Sequence, residues 1–266
     1  MRIALKVAYD GTKFFGFQRQ KSVKTVEGEL IRALQKLDII KGPRENNFKG
    51  ASRTDRGVSA FGNVVSFDTE NLKLVQPRIL NHHLKDIWVL GIAGVGEDFH
   101  PRYSAEGKIY RYYMVDEGFD LNAMKRCSKL FIGTHNFSNF ARLEQFKNPV
   151  RTLDDIKISK KGKLVVLEFS GESFLWEMIR RIVTALKMCG LSYLSEGEVE
   201  DMLNLKVDRK LPPAPAENLV LWEIKYPSLR FEIDESSVEK AKREFFERFS
   251  RAFLRAALFE EWFNAL

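Results

Sequence analysis

Residues 49–62 have the sequence KGASRTDRGVSAFG, in which Asp55 lies between Arg53 and Arg56. Apolar runs before and after this stretch predict two strands joined by a loop. Nearby cations favour the ionised form of a carboxyl group, so the flanking arginines predict a charged aspartate. Loops commonly carry catalytic groups, which makes Asp55 a candidate catalytic residue. The same pattern is also typical of a surface turn with an exposed ion pair, which contributes little to stability.

Gly57 and Gly62 in this stretch predict backbone conformations or contacts that a side chain would hinder. Because glycine has no Cβ, it permits a tight turn or a close approach of the backbone to a ligand. We therefore expect the loop to hold Asp55 in a defined place.

Length and composition indicate a globular protein without a membrane segment. The chain has 266 residues, of which 44% are hydrophobic and 30% charged, which suits one large or two modest domains. No apolar run approaches the length of a bilayer span, and residues 1–10 meet charge too early for a secretory signal. Cys127 and Cys189 lie far apart in the sequence, so we expect core thiols and a reducing cytoplasm rather than a disulfide or metal pair.

The sequence predicts neither a metal nor a cofactor. The four histidines lack helical His-x-x-x-His spacing and lie near no cysteine pair. The chain also lacks a glycine-rich dinucleotide loop and a phosphate-binding loop. The formal net charge is +7, and residues 228–266 carry −1 of it, so the basic excess lies in residues 1–227. Such an excess is compatible with a phosphate-bearing partner.

The first 104 residues predict an α+β half. A strand at the N-terminus precedes a helix that Thr25 caps, and the polar loop is followed by a strand, a helix and another strand. The segment 9–20 mixes aromatic, amide and cationic side chains, a composition suited to unpaired bases. Phe14 or Phe15 is alternatively a core residue of a loop packed on the body.

Residues 105–227 predict a second α/β half. A strand with alternating aromatic side chains carries Tyr110. After a predicted hairpin, residues 174–189 have the pattern of a helix that ends at a glycine cap, Gly190. Arg180 on this helix needs a partner if it points inward, because buried charges must be paired.

Residues 228–266 predict a helical tail. Phe245, Phe249 and Phe253 recur every four residues and form an apolar stripe with neighbouring alanines. An exposed apolar stripe of this size would promote association in water, so it must be buried. We expect it to dock on its own subunit, with a contact across a dimer as the alternative. The net charge of the tail disfavours RNA binding.

An ordered series of motifs that ends at residue 226 resembles a known family. The motifs are YDGT at 9–12, TVEGEL at 25–30, RTDRGV at 53–58, FHPRYSA at 99–105, KIYRY at 108–112, FLWEMIRRIV at 174–183 and APAE at 214–217. In this order and spacing they resemble the TruA family of tRNA pseudouridine synthases, with its eukaryotic and archaeal relatives.

The resemblance implies a role for each candidate site residue. Asp55 would be the catalytic aspartate, and Arg53 would pair with it and help to hold the target nucleotide out of its stack. Tyr110 would stack on the target uracil and serve in proton transfer. Arg180 would support Asp55 as a second basic group, and Arg56 would contact the substrate.

The implied fold consists of two ferredoxin-like (RRM-like) α/β halves, residues 1–104 and 105–227, whose antiparallel sheets join around a basic cleft. A helical tail, residues 228–266, follows them. The implied enzyme is an isomerase, an intramolecular transferase that converts uridine to pseudouridine in the anticodon stem-loop near tRNA positions 38–40. It would use no metal and no cofactor, and would contact no membrane. It would work in the cytoplasm as a homodimer that holds one tRNA across both subunits.

Departures from the bacterial pattern of the family indicate a branch. Ser59 stands where bacterial members often have histidine, Ser52 replaces a common glycine, and Trp176 with Glu177 replaces polar residues. Residues 59–63 and 174–176 are more similar to the eukaryotic branch that modifies the anticodon arm. The tail has no counterpart in the bacterial pattern.

The chemistry of the implied reaction agrees with the residue types present. Forming pseudouridine breaks the N1–C1′ bond and joins C5 to C1′ without redox change or group donor. A carboxylate can attack C1′ or C6, or assist loss of the 2′ proton, and the three routes stay open. Aromatic stacking and arginine insertion suit a base that must leave its stack.

Two other classes of protein remain open. The first is an RNA-binding protein on the same fold without activity, which would be favoured if Asp55 did not share a cleft with Tyr110. The second is a hydrolase with paired carboxylates, as in glycosidases. The cations around Asp55, and the absence of a second acid in the same motif, disfavour the hydrolase.

Overall fold

The computed structural model describes residues 1–266 and contains ten strands and six α-helices. The strands are β1 (Arg2–Tyr9), β2 (Lys49–Gly50), β3 (Ser59–Asp68), β4 (Ile87–Val95), β5 (Gly107–Val115), β6 (Gly133–Asn136), β7 (Val150–Lys161), β8 (Leu164–Gly171), β9 (Leu219–Lys225) and β10 (Glu232–Ile233). The helices are α1 (Val26–Lys36), α2 (Pro77–His82), α3 (Leu121–Lys129), α4 (Met178–Gly190), α5 (Glu196–Leu203) and α6 (Glu235–Ala265).

All ten strands form one sheet, in the order β10-β4-β1-β3-β9-β5-β8-β7-β6, with β2 paired to β3 beside this path. Neighbouring strands are antiparallel except β3 and β9, which run parallel. Those two strands share only two residue pairs, Ser59 with Val220 and Ala60 with Leu221. This short parallel pairing joins the strands of residues 1–104 to those of residues 105–227.

Several local predictions are confirmed by the capping contacts. The side chain of Thr25 accepts a hydrogen bond from the N–H of Gly28 and so caps α1. Pro77 occupies the first turn of α2, where its missing N–H costs nothing. The two shortest outer strands, β6 and β10, were not predicted, because such short segments show no periodicity.

The helix after Phe174 is shorter than predicted. It begins only at Met178, because Glu177 has a left-handed φ of 62° and ends a turn. Gly190 is the last residue of α4 rather than its cap, which is Leu191. The turn brings Glu177 against the first arginines of α4, and that contact shapes the site described below.

The two faces of the sheet have separate cores. Successive strand residues point to opposite faces, so Ala8 and Tyr9 lie on opposite sides of β1. Tyr9 belongs to a main core of 57 buried residues, to which α1, α3, α4 and α5 contribute. Ala8 packs with Trp88, Leu90 and Ala241 in a small second core beneath the start of α6.

The tail helix α6 is docked at its start and exposed beyond it. The ring of Phe245 meets that of Trp88 edge to face, with centroids 4.7 Å apart, and the indole N–H of Trp88 donates to Glu244 at 2.8 Å. Arg248 donates to Asp86 at 2.6 Å. The exposed apolar side chains around and beyond this contact are Phe246, Phe249, Phe253, Leu254, Leu258, Phe259, Trp262, Phe263 and Leu266. Docking on the same subunit therefore holds for the start of the tail and fails for its second half.

No helix of this structure, α6 included, combines the length and the apolar composition that a membrane span requires. The two cysteines are free and buried, as predicted. Cys127 on α3 and Cys189 on α4 nevertheless meet in space, with their Sγ atoms 2.6 Å apart. Helix packing brings them together, and their separation in the sequence did not indicate it.

The junction between the two groups of strands depends on Gly62. A Cβ at this position would lie 2.7 Å from the carbonyl oxygen of Trp222 on β9. Carbon and oxygen atoms that are not bonded do not approach so closely, so a side chain at Gly62 would push β3 away from β9. The close approach at Gly62 is between two backbones, whereas the sequence predicted one between backbone and ligand.

We predict that Gly62→Ala lowers the free energy of unfolding by about 2 kcal/mol, because the added methyl group overpacks the junction. Denaturant unfolding followed by circular dichroism measures the change. Gly197→Ala is the matched control, because a Cβ at Gly197 would meet no atom within 4 Å. Alanine there, in the first turn of α5, should be neutral or slightly stabilising. Equal losses in the two variants would contradict the role of the junction.

Candidate active site

Asp55 lies where the two groups of strands meet, and a guanidinium from the second group holds it. Arg180 on α4 donates from Nη2 to Oδ2 of Asp55 at 3.3 Å. Its Nη1 donates to the carbonyl oxygen of Ala214 at 3.0 Å, which fixes the guanidinium. The side chains of Asp55 and Arg180 are 31% and 12% exposed, so the pair is largely removed from water. The inward-pointing Arg180 therefore has the partner that its burial requires.

The two arginines that flank Asp55 in the sequence do not pair with it. Both are exposed, and the ion pair of Asp55 is with Arg180. The guanidinium carbon of Arg56 lies 4.3 Å from the ring centroid of Phe15. The predicted pairing of Arg53 with Asp55 is wrong, because neighbouring side chains of an extended loop point in different directions.

Burial raises the pKa of Asp55 above its usual value of 3.8. The positive charge of Arg180 acts against this increase, whereas the negative charge of Glu177 adds to it. The prediction that neighbouring cations keep the pKa low is therefore wrong in direction, since desolvation outweighs them. A carboxylate with a raised pKa is a better proton acceptor once ionised, which suits catalysis.

Tyr110 on β5 faces the same site from the second group of strands. Its Oη lies 3.0 Å from Oγ of Ser52, three residues before Asp55. Its ring meets that of Phe174 edge to face, with centroids 5.2 Å apart. Burial raises the pKa of the phenol to about 12, and the negative charge of Asp55 contributes. The phenol therefore keeps its proton at neutral pH.

Lys108 also belongs to this site, although sequence reasoning did not single it out. Its Nζ donates to the carbonyl oxygen of Ala51 and to Oγ of Ser52, both at 3.4 Å. Burial lowers the pKa of its ammonium group to about 8, and the positive charge of Arg102 contributes. The alternation of β5 was the available signal, since residues two apart on a strand share a face.

A buried polar network packs against the loop that carries Asp55. Asn63 donates from Nδ2 to the carbonyl oxygen of Ser52 at 2.9 Å and to Oη of Tyr9 at 3.1 Å. The same Oη lies 2.8 Å from Oγ1 of Thr54. All four residues are buried, and a satisfied buried network rigidifies its surroundings. The network therefore fixes the backbone that leads into Asp55, a role that no sequence pattern at Asn63 indicated.

The segment 9–20 packs against the other side of the loop. The N–H of Phe17 donates to the carbonyl oxygen of Thr54 at 3.0 Å. Gly16 has a φ of +89°, and a Cβ there would lie 3.1 Å from the same oxygen. Phe14 is buried and Phe15 is exposed, which resolves the alternative between core and surface for these two rings.

A cluster of basic side chains lies beside the loop. Burial lowers the pKa of Lys147, and the positive charges of Arg102, Arg53 and Arg151 contribute. Of these four residues, only Lys147 has an ion-pair partner, Glu144. Like charges that act on one another in this way repel unless an anion joins them, so the cluster suits a polyanionic ligand.

The surroundings of Asp55 do not form a pair of catalytic carboxylates. Glu177 is the neighbouring acid, and its Oε1 lies 3.5 Å from the guanidinium of Arg180. Its Oε2 pairs with Arg181. With both oxygens engaged by arginines, Glu177 is a poor proton donor for a glycosidase-like reaction.

The structure contains no group of three or more His, Cys, Asp or Glu residues that could hold a metal ion. A cavity of about 270 Å³ lies between α6 and the sheet, next to Phe61, Trp88 and Trp222. Asp55, Tyr110 and Arg180 are not among its lining residues. The candidate chemistry and this cavity therefore occupy different parts of the molecule.

We predict that Arg180→Gln raises the pKa of Asp55 further, because it removes the opposing cation and leaves burial and Glu177 in place. The titration midpoint of the carboxyl group then moves to higher pH, as measured by NMR of carboxyl-labelled aspartate with Asp55→Asn for assignment. Arg53→Gln removes the same charge from an unpaired arginine and should leave the midpoint almost unchanged. An equal shift in both variants would contradict the pairing with Arg180.

Comparison with known proteins assigns this chain to a family. A family model described as tRNA pseudouridine synthase matches residues 5–104 and 127–227. The tRNA pseudouridine synthase A of Thermococcus sibiricus is 60% identical over 266 residues, which cover 100% of both chains. That of Thermococcus kodakarensis is 57% identical over 263 residues, which cover 98% of each chain.

Among solved structures, a crystal structure of a Cbf5–Nop10–Gar1 complex aligns with this chain at a TM-score of 0.37 and 12% identity. The alignment covers 71% of this chain and 44% of that chain. That likeness is too low to support an argument. The family model and the archaeal relatives cover most or all of the sequence, and their agreement is decisive. This chain belongs to the TruA family of tRNA pseudouridine synthases.

Proposed function

We propose that this protein isomerises uridine to pseudouridine in tRNA and that Asp55 is its catalytic residue. The observation that carries the proposal is the convergence of separate segments on the loop that carries Asp55. Arg180 binds Asp55, and Tyr110 hydrogen-bonds Ser52, three residues before it, in a chain of this family. A surface turn would leave the aspartate in water beside its flanking arginines. Asp55 is instead desolvated, its pKa is perturbed, and its cationic partner comes from a part of the chain remote in the sequence; these features favour a functional site.

The reaction rearranges one nucleotide and needs no added reactant. The N1–C1′ bond breaks, the base turns, C5 joins C1′, and the proton lost from C5 is balanced by one gained at N1. Asp55 supplies the carboxylate that attacks C1′ or C6, or assists loss of the 2′ proton. Because the phenol of Tyr110 keeps its proton, it suits stacking and proton donation rather than proton removal.

The target base must leave its stack to reach a buried carboxylate. Arg53 lies on the same loop as Asp55, is exposed and has no ion-pair partner, so it suits the place that the flipped nucleotide vacates. Arg56, stacked on Phe15, offers a second guanidinium for substrate contact. The basic cluster around Lys147 would take phosphates, contacts that position an RNA without selecting its sequence.

Finer features of the proposal rest on the resemblance and on the strand order. The branch-specific residues 59–63 and 174–176 favour the anticodon stem-loop near tRNA positions 38–40. The two groups of strands follow equivalent paths, β4-β1-β3-β2 and β9-β5-β8-β7, which supports ferredoxin-like halves at 1–104 and 105–227 with the basic cleft between them. Free buried thiols suit a reducing cytoplasm. The family resemblance favours a homodimer as the working form.

We predict that Asp55→Asn abolishes isomerisation while tRNA binding survives, because the amide keeps the shape of the side chain and loses the carboxylate. The rate should fall roughly 10⁴-fold or more, as for the loss of a catalytic nucleophile. The measurement is incubation with unmodified tRNA, followed by mapping of pseudouridine at each position. Binding is followed separately by filter retention.

Asp154→Asn is the matched control, because Asp154 is exposed on β7 and forms no ion pair. It should retain the activity of the unaltered chain. Near-normal turnover in Asp55→Asn would refute the assignment of Asp55. Absence of pseudouridine from every tRNA treated with the unaltered protein would refute the proposed function itself.

A further inference from the structure

The turn before α4 presents a tryptophan to solvent beside the candidate active site. Trp176 is 40% exposed, whereas the adjacent Leu175 is buried. The next residue, Glu177, has a left-handed φ of 62° and binds Arg180, the arginine that also binds Asp55. The turn therefore brings an exposed indole close to the carboxylate instead of packing it into the core.

Arg142 completes this surface from another segment of the chain. Its guanidinium carbon lies 4.1 Å from the ring centroid of Trp176, and its backbone N–H donates to the Trp176 carbonyl at 2.9 Å. The guanidinium forms neither a hydrogen bond nor an ion pair, so its five N–H donors remain free. The stacked pair lies near Asp55, because Glu177, next to Trp176 in the chain, binds the same guanidinium that binds Asp55. The positive charge of Arg142 also acts to lower the pKa of Asp55.

We propose that Trp176 and Arg142 form a binding subsite for the nucleotide that adjoins the target uridine. The indole stacks on the base of that nucleotide, and the guanidinium contacts its phosphate. The inference rests on the proposed function. The ligand class is an unpaired RNA nucleotide of any base, because every base has a face that stacks on an aromatic ring.

The physical need for such a subsite follows from base flipping. When a uridine turns out of its helix, the neighbouring base loses one stacking partner, which costs free energy. An exposed indole near the catalytic carboxylate restores that stacking. The free guanidinium of Arg142, stacked on the same indole ring, supplies a charge-assisted hydrogen bond to phosphate.

A purely structural role predicts a different outcome. If the contact between Arg142 and Trp176 only fixed the backbone at residues 141–149, removal of the ring would lower the unfolding temperature and leave RNA affinity unchanged. Kinetics and stability therefore distinguish the two roles.

The test compares steady-state kinetics of Trp176→Ala and Trp176→Phe on unmodified tRNA. Trp176→Ala should raise KM about tenfold, the loss expected for one stacked base, with kcat little changed. Trp176→Phe keeps an aromatic ring and should recover most of this loss. Tyr193→Ala is the matched control, because Tyr193 is 72% exposed after the far end of α4 and should leave KM unchanged.

Failure of this inference is distinguishable from failure of the proposed function. An unaltered protein that forms pseudouridine, together with an unchanged KM in Trp176→Ala, would overturn the subsite alone. A lower unfolding temperature with unchanged KM would overturn it in favour of the structural role. A Trp176→Phe protein as impaired as Trp176→Ala would overturn stacking. No pseudouridine from the unaltered protein would instead refute the function.

A second inference rests on the second half of α6. Nine large apolar side chains of residues 246–266 are each at least 43% exposed, and they point to several sides of the helix. Near the docked start of the helix, Arg248 of this half pairs with Asp10 and Asp86. Farther along, the ion pair of this half with the body is between Lys163 and Glu260. A helix that is apolar all round is normally buried, so this segment needs a partner.

We infer that residues 246–266 dock against the same segment of a second copy of the chain. The six aromatic and three leucine side chains expose roughly 1,000 Å², given about 150–250 Å² for a whole aromatic side chain. A stable dimer buries about 800 Å² on each partner, so this surface is sufficient.

Charge favours self-association over RNA as the partner. Residues 246–266 contain three arginines and three glutamates, so their net charge is zero. Arg251 and Arg255 precede Glu260 and Glu261 along the helix, and antiparallel copies would set the arginines of one beside the glutamates of the other.

The test is sedimentation velocity of the full chain over a range of concentrations. The unaltered protein should sediment as a dimer, and Phe253→Glu as a monomer, because a carboxylate would be buried in the apolar contact. Lys240→Glu, a charge change on the docked part of α6, should remain a dimer. An unaltered protein that stays monomeric, a dimeric Phe253→Glu, or a monomer that pellets with anionic phospholipid vesicles would each overturn the inference.

Discussion

The guanidinium of Arg180 joins the two groups of strands at the place where the chemistry would occur. It binds Asp55 from the first group, and it binds Glu177 and the Ala214 carbonyl from the second. A buried cation requires such partners, and a partly buried carboxylate requires such a cation. The site is therefore complete only while the two groups keep their relative position, which the short pairing of β3 with β9 maintains.

Desolvation gives the site its electrostatic character. Burial raises the pKa of Asp55 and of the Tyr110 phenol, and it lowers the pKa of Lys108. These three shifts all favour the neutral form, because a site removed from water disfavours every charge. The basic cluster beside the loop is more exposed and keeps a surface suited to phosphates. A site removed from water therefore lies beside a charged, exposed surface.

Much of the local structure and the identity of the central residues could be predicted from the sequence. Thr25 capped a helix as its side chain chemistry requires, and the alternation of β5 placed Tyr110 on a buried face. The pairing of Asp55 could not be predicted from its neighbours, because Arg53 and Arg56 point away and Arg180 lies 125 residues further along the chain. Lys108 and Asn63 were missed because their roles depend on hydrogen bonds to Ser52, which only folding brings near.

The sequence by itself determined the family, most of the strands and helices in their order, and the candidate carboxylate, because these follow from motif order, periodicity and capping chemistry. Tertiary structure alone decided which arginine holds Asp55, in which direction its pKa moves, and that Trp176 faces solvent beside it. It also decided that α6 docks only at its start. The physical reason is that burial and ion pairing depend on distances between segments remote in the chain, whereas periodicity and capping act within a few residues.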